Sequence, residues 1–402
     1  MTREATPQVS PEPRPEAPPE PPAAPAWTPL SGAAHRIALE VLLRGPLPRS
    51  ELARRLDLSA GTLTRLVRSL LDRGLLVEDG TAGNAARGRP SRPLDVVAGT
   101  HHFIGAKITD EDVHVVVTDL RAEVVASGRA PLPGRDPAAV VTTLTALARD
   151  LAAGVPRVTA AGVSLGGQVA GHATVLRAPF LGWEEDVPLG ARLGEALGLP
   201  VVVDNDLLAL ARAEHWFGTG RGLDRFALLT TGIGVGYAVV MHGRLVESPD
   251  AGIGMVSHFP LDPLGPACPE GHRGCATAML TAPSISAAVS VGRRRETGYE
   301  ECLDLAAAGE PVAASVVTAA GRALGRLIAA VANLTMAGTV ILTGEGIRLA
   351  EVARDAVREG LRAGRDRRAS DVTTIVRPID FSVWARGAAV TAIQRYVLGG
   401  PV

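Results

Sequence analysis

From about Gly99 to its end, the chain alternates short β-branched apolar runs with longer amphipathic stretches, a pattern that admits few architectures. Residues 113–120, 158–165 and 201–203 read as strands, as does 340–342. Residues 226–230 and 236–241 form a strand pair turned by glycines. Helical periodicity occupies 138–153, 207–217, 314–334 and 350–363. Helices laid between strands over about 300 residues describe an α/β body.

The preceding segment has a different texture. Residues 35–43 place Ile37, Ala38, Val41 and Leu42 at helical spacing, and Gly45 and Pro46 stop the run. Residues 49–56 form a second, short helix. Ser59 has the chemistry of an N-cap for a third, which buries Leu63, Leu66, Val67 and Leu70. Strand-like residues 75–78 follow. Three helices and then a strand and loop is the order of a winged helix-turn-helix, assigned here to residues 31–97, with the body over 98–402. Residues 1–30 contain ten prolines and are expected to form a disordered, proline-rich tail.

Charge separates these regions. The whole chain has a net charge of -1, which by itself does not point to nucleic acid. Yet residues 33–94 hold eleven Arg against six acidic residues, a local excess of five positive charges. A DNA-binding head needs that asymmetry. The third helix turns Thr62, Arg65, Arg68 and Ser69 away from its leucines, where they can meet base edges and phosphates. The arginines of the 87–93 loop, Arg87 and Arg89 foremost, suit a narrow minor groove. Three cysteines exclude a disulfide framework. No signal pattern appears, and no apolar run approaches a membrane span, so a cytoplasmic protein is expected.

Several motifs of the body occur in a characteristic order. They are Gly162-Val163-Ser164-Leu165-Gly166-Gly167, Ala178-Pro179 with Gly182-Trp183, Val203-Asp204-Asn205-Asp206 through Glu214, and Thr231-Gly232-Ile233-Gly234-Val235-Gly236. Gly88-Arg89-Pro90 with Pro93-Leu94 precedes them, and a further pair, Gly344 and Gly346, follows the 340–342 strand. With these motifs the chain resembles the ROK family of repressors, open reading frames and kinases, over nearly everything after Ala33. The resemblance implies a two-lobed, actin-like ATPase fold behind the winged helix-turn-helix. It also implies a carbohydrate-responsive transcriptional regulator, a repressor rather than an activator. Its partners would be double-stranded operator DNA, a small carbohydrate effector and a second copy of the chain, since palindromic operators mirror two-fold symmetry. The alternative is an ATP-dependent sugar kinase with an appended DNA-binding head.

The resemblance also implies particular site residues. Asp206 aligns with the family's catalytic base, and Gly167, Asn205, Asp206 and His258 align with sugar contacts. Where family kinases carry an Asp-x-Gly-Gly-Thr phosphate loop, this chain has Lys107-Ile108-Thr109-Asp110. Lys107 replaces the carboxylate that manages magnesium, and Ile108 and Thr109 crowd the phosphates, so ATP use and catalysis are not expected. Two sugar-binding glutamates of the family are Met255 and Thr277 here. The family's structural zinc site corresponds to His258, Cys268 and Cys275, with Glu270 in place of one cysteine and His272 close by. Either of those two could complete a tetrahedral set.

Overall fold

The computed structural model describes residues 30–78 and 92–399. The head opens with α1 (Gly32–Arg44), α2 (Arg49–Leu56) and α3 (Ala60–Asp72), then β1 (Leu76–Glu78) and β2 (Leu94–Val96). Ser59 caps α3 as expected: its hydroxyl accepts the Thr62 amide at 3.2 Å, satisfying one of the donors a helix start leaves open. Leu63, Val67 and Leu70 are buried beneath α3, whereas Leu66 is only half-buried. The two strands pair antiparallel, Leu76 opposite Val96. Arg87 and Arg89 lie outside the described residues.

The first lobe of the body runs β3 (His102–Ile108), β4 (Asp112–Asp119), β5 (Val124–Pro131), α4 (Pro137–Ala152), β6 (Val158–Leu165), β7 (Gln168–Ala170), β8 (Thr174–Arg177), α5 (Leu189–Leu197), β9 (Val201–Asn205) and α6 (Asp206–Phe217). Its main sheet has the order β5-β4-β3-β6-β9. The β3–β4 and β4–β5 pairs are antiparallel, and β3, β6 and β9 are parallel.

The second lobe runs β10 (Phe226–Thr231), β11 (Val235–Met241), β12 (Arg244–Leu245), α7 (Ala276–Leu280), α8 (Ala282–Arg293), α9 (Tyr299–Ala307), α10 (Pro311–Thr335), β13 (Thr339–Thr343), α11 (Arg348–Val352), α12 (Arg354–Ala363), β14 (Thr373–Val376) and α13 (Phe381–Leu398). Its sheet, β12-β11-β10-β13-β14, repeats the plan of antiparallel strands continued by parallel ones. Two sequence expectations are amended. The helical stretch 350–363 is two helices that break at Ala353. Helix α10 is long and apolar enough to cross a membrane by length and composition, although 56% of that window is buried inside the protein.

Two helices tie the lobes and the head together. Helix α13 crosses the first sheet at two glycines. A Cβ on Gly162 would collide with the Ala388 carbonyl, and one on Gly105 with the Ala385 carbonyl. Helix α6 sits between the lobes, where its Leu208 and Leu210 join a core with Phe226, Leu228 and Trp384. The far ends of both helices reach the head. Trp216 of α6, with Ile393 and Val397 of α13, shares one hydrophobic core with Ile37, Val41 and Leu94. Polar contacts lock this junction. Arg121 donates to the Val41 carbonyl at 3.2 Å and the Gly45 carbonyl at 3.0 Å, and pairs with Asp95. A His35 ring nitrogen meets the Val397 carbonyl at 2.9 Å.

Because the space above Gly162 is filled by backbone, Gly162→Ala is expected to cost about 1–3 kcal/mol of stability by overpacking. Gly154, which has nothing within 4 Å of a would-be Cβ, is the control. Chemical denaturation of the two variants checks this, and equal midpoints would refute the close helix–sheet approach.

Candidate functional site

Strand β9 ends at Asn205 and α6 begins at Asp206, so the helix start delivers both side chains to the interlobe cleft. Asn205 is largely committed to structure. Its carbonyl oxygen accepts the Leu207 and Leu208 amides, and its amide donates to the Gly167 carbonyl at 2.9 Å. Gly167, Asn205 and Asp206 therefore do come together. His258 stands in a different cluster, and no hydrogen bond joins it to them among the described residues.

Asp206 is engaged by a lysine. Lys107, on the wholly buried β3 and itself only 7% exposed, forms an ion pair with the Asp206 carboxylate. The Lys107 ammonium also lies 5.3 Å from the centre of the Trp384 ring, a cation–π distance. A buried charge is tolerated only when paired, so each partner holds the other in place.

Opposite this pair, in the loop after β13, stands Glu345. The sequence reading noted Gly344 and Gly346 and passed over the residue between them. A Cβ built on Gly232 would lie 2.5 Å from Glu345 Oε2, which puts the carboxylate against the glycine-rich turn after β10. Glu345 keeps solvent exposure there. Desolvation there raises its carboxyl above the usual range; Lys107 acts against that rise and Asp206 adds to it.

A cavity of about 260 Å³ opens beside Asn205, lined by His172, Asp204, Leu208, Glu247 and Ser248 among others. Buried Arg212 neutralises part of its wall, meeting Asp204 at 3.1 Å and Glu247 at 2.9 Å. Burial lowers the His172 pKa, despite the nearby carboxylates. A larger groove of about 640 Å³ lies at Glu351, Arg354 and Arg358, but its open, charged lining includes none of the motif residues. Of the two lost glutamates, Met255 is 68% exposed, and the Thr277 hydroxyl donates to the Ser257 carbonyl at 2.8 Å.

The second cluster is His258, Cys268 and Cys275, whose donor atoms all lie within 4.8 Å of one another. His258 Nδ1 is 3.7 Å from each sulfur, and His272 Nδ1 is 3.6 Å from Cys268. Donors on a tetrahedral zinc ion stand about 3.6 Å apart for one sulfur and one nitrogen, so this spacing suits the metal. Glu270 approaches from elsewhere, its carboxylate 3.1 Å from His258 Nε2. Burial pushes both thiols up; for Cys268, hydrogen bonding from His272 and the loop backbone outweighs it and brings the pKa down, while Cys275 stays raised.

On the head, Thr62, Arg65, Arg68 and Ser69 share the outer side of α3, with Thr62 half-buried and the others exposed. Neighbouring arginines are spent on acids: Arg54 and Arg55 on Glu51, Arg49 on Glu78, Arg44 on Glu40. Among the described residues Arg65 and Arg68 make no ion pair, which leaves their charge available to a polyanion.

Removing one partner of the cleft pair should leave an uncompensated buried charge. Asp206→Asn is expected to lower stability by about 3–5 kcal/mol, and Lys107→Met added to it to restore much of the loss. Denaturation of the single and double variants measures this, and simple additivity would refute the pairing.

Comparison with known proteins agrees with this layout. The ROK family model matches residues 103–394, and the MarR family model matches 28–84. The DNA-binding transcriptional repressor Mlc of Escherichia coli is 24% identical over 348 residues, 83% of this chain and 84% of its own. A transcriptional regulator of Mycobacterium bovis is 30% identical, over 83% of this chain and 78% of its own. The crystal structure of a ROK family transcriptional regulator homologous to Mlc superposes with a TM-score of 0.75 at 25% identity, covering 91% of this chain and 96% of that one. A ROK glucokinase from Streptomyces griseus, solved with glucose and AMPPNP, shares the body fold at a TM-score of 0.61 and 23% identity, over 72% of this chain and 98% of that one. With a family model spanning nearly three quarters of its length, the chain belongs to the ROK family.

Proposed function

We propose that this protein is a DNA-binding transcriptional regulator, a repressor of carbohydrate-related genes whose operator affinity is set by a sugar in the body cleft. The observation that carries the reading is the outer side of α3, where Arg65 and Arg68 stand exposed and without an ion pair among the described residues, while Glu40, Glu51 and Glu78 of the head are matched to other arginines. The names of the relatives, Mlc among them, support it. Operators with two-fold symmetry call for a homodimer. Helices α6 and α13, which start at the cleft and end under the head, supply a route by which lobe closure changes the head's position. A coupling of about 1–3 kcal/mol along that route is enough for a switch.

The kinase alternative rests on Asp206 and on the fold shared with ROK kinases. The Lys107 pairing of Asp206 weighs against it, because a base already neutralised by an ammonium is a poor acceptor for a hydroxyl proton. An ADP-release assay over hexoses and N-acetylhexosamines separates the readings; turnover at about 1–100 per second would establish the kinase.

Capture and sequencing of fragmented genomic DNA tests the regulator. A few inverted repeats beside carbohydrate genes are expected, and no enrichment with or without a sugar panel would refute it. On a captured operator, Arg65→Ala is expected to cost about 1–3 kcal/mol of binding selectively at one base position. Arg68→Ala, if it meets phosphate, is expected to weaken all sequences alike and reduce the salt slope by about one. Arg87 and Arg89 are assigned to the minor groove beside it.

For the metal cluster, zinc would be held by His258, Cys268, Cys275 and His272. Glu270 would orient His258 through the opposite ring nitrogen, a common arrangement for metal-binding histidines. The metal would brace the loop and take no part in catalysis. Purified protein is expected to contain about one zinc per chain, and His272→Ala to lower that content far more than Glu270→Ala. Equal retention in both variants would refute the assignment.

A further inference from the structure

The charges at the phosphate end of the cleft all belong to the chain. Asp206 carries one negative charge and Lys107 cancels it within a buried pair. Glu345 then adds a second carboxylate, lodged against Gly232 in the turn whose backbone amides would otherwise face a phosphate. Gly346 completes the contact: a Cβ on it would sit 3.0 Å from the Gly232 amide nitrogen, so the two glycine loops already touch. The amide of Gly232 is turned inward, donating to the Gly234 carbonyl at 3.1 Å. An incoming phosphate would meet a filled cradle with a net negative charge, and the one nearby ammonium is already engaged.

We propose that Glu345, with the Lys107–Asp206 pair, makes the cleft an anion-excluding site, so that the regulator takes an uncharged sugar as its effector and rejects nucleotides and sugar phosphates alike. The two exclusions have one origin. A phosphate entering beside Asp206, whether carried by a nucleotide or by a sugar, meets the same two carboxylates. An uncharged sugar needs only hydrogen bonds there, which the Asp206 and Glu345 oxygens can accept. The proposal rests on the sugar-responsive reading for its effector half, while its nucleotide half stands on the cleft alone.

Isothermal titration of the full-length chain tests it. The probes are Mg·ATP and a panel of hexoses and N-acetylhexosamines, each paired with its 6-phosphate. The proteins are the wild type, Glu345→Gln, Glu345→Gly and Glu345→Gly combined with Lys107→Asp. Wild type is expected to show no saturable Mg·ATP binding up to about 1 mM, and to prefer each neutral sugar that binds over its phosphate by about tenfold or more. Glu345→Gln keeps the side-chain volume and removes the charge; it is expected to erase most of that preference. Glu345→Gly removes both and is expected to admit Mg·ATP, more strongly once Lys107→Asp restores a carboxylate for magnesium. Wild-type binding of Mg·ATP, or of a sugar phosphate more tightly than its neutral partner, would overturn the proposal. So would failure of all three variants to gain phosphate affinity, with melting curves establishing that Glu345→Gln is folded. If no sugar of either kind binds, the sugar-responsive reading fails, and the Mg·ATP titrations still decide the exclusion.

Discussion

Helix α13 lies so close to the first sheet that only glycine fits beneath it at Gly105 and Gly162. That approach places Trp384 in the cleft at one end of the helix and Ile393 and Val397 under the head at the other. Helix α6 runs with it, from Asp206 in the cleft to Trp216 beneath the head. Each helix is about 18–27 Å long by its residue count, at the rise of 1.5 Å per residue. The pair joins the cleft to the head through continuous packing, and close-packed interiors shift as units rather than deform locally.

The cleft brings charged side chains from three separate parts of the chain together. Lys107 holds Asp206, the first residue of α6, in a buried pair. Glu345 occupies the mouth of the glycine turn. Lys107 and Glu345 lie at one place, so neither alone describes the charge that a ligand would meet. The cluster of His258, Cys268 and Cys275 lies apart from the cleft pair, with sulfur and imidazole donors within 4.8 Å of one another.

Much of the architecture was legible in the residues. The capping chemistry of Ser59, the periodicity of α3 and the β-branched runs of the body are local signals, and local hydrogen bonding and side-chain alternation produced the elements they indicate. The helix break at Ala353 was not legible, because Ala is a good helix former and its contact with Gly321 of α10 is remote in the chain. The partner of Lys107 was not legible either, since 99 residues separate it from Asp206. Glu345 was visible as a Glu between two glycines, but nothing local says that its carboxylate folds over Gly232.

The sequence alone determined the order of head and body, and it marked Gly167, Asn205 and Asp206 and the His258, Cys268 and Cys275 group, but not Glu345. These follow from motif spacing and from residue chemistry that does not depend on distant neighbours. Only the tertiary structure decided which charges meet. It joined Lys107 to Asp206, turned Glu345 toward the glycine turn, placed Glu270 and His272 against different atoms of the metal cluster, and merged the core of the head with that of the body. Pairing between remote side chains is set by how the sheets and helices stack, and that stacking is a property of the packed whole rather than of any segment.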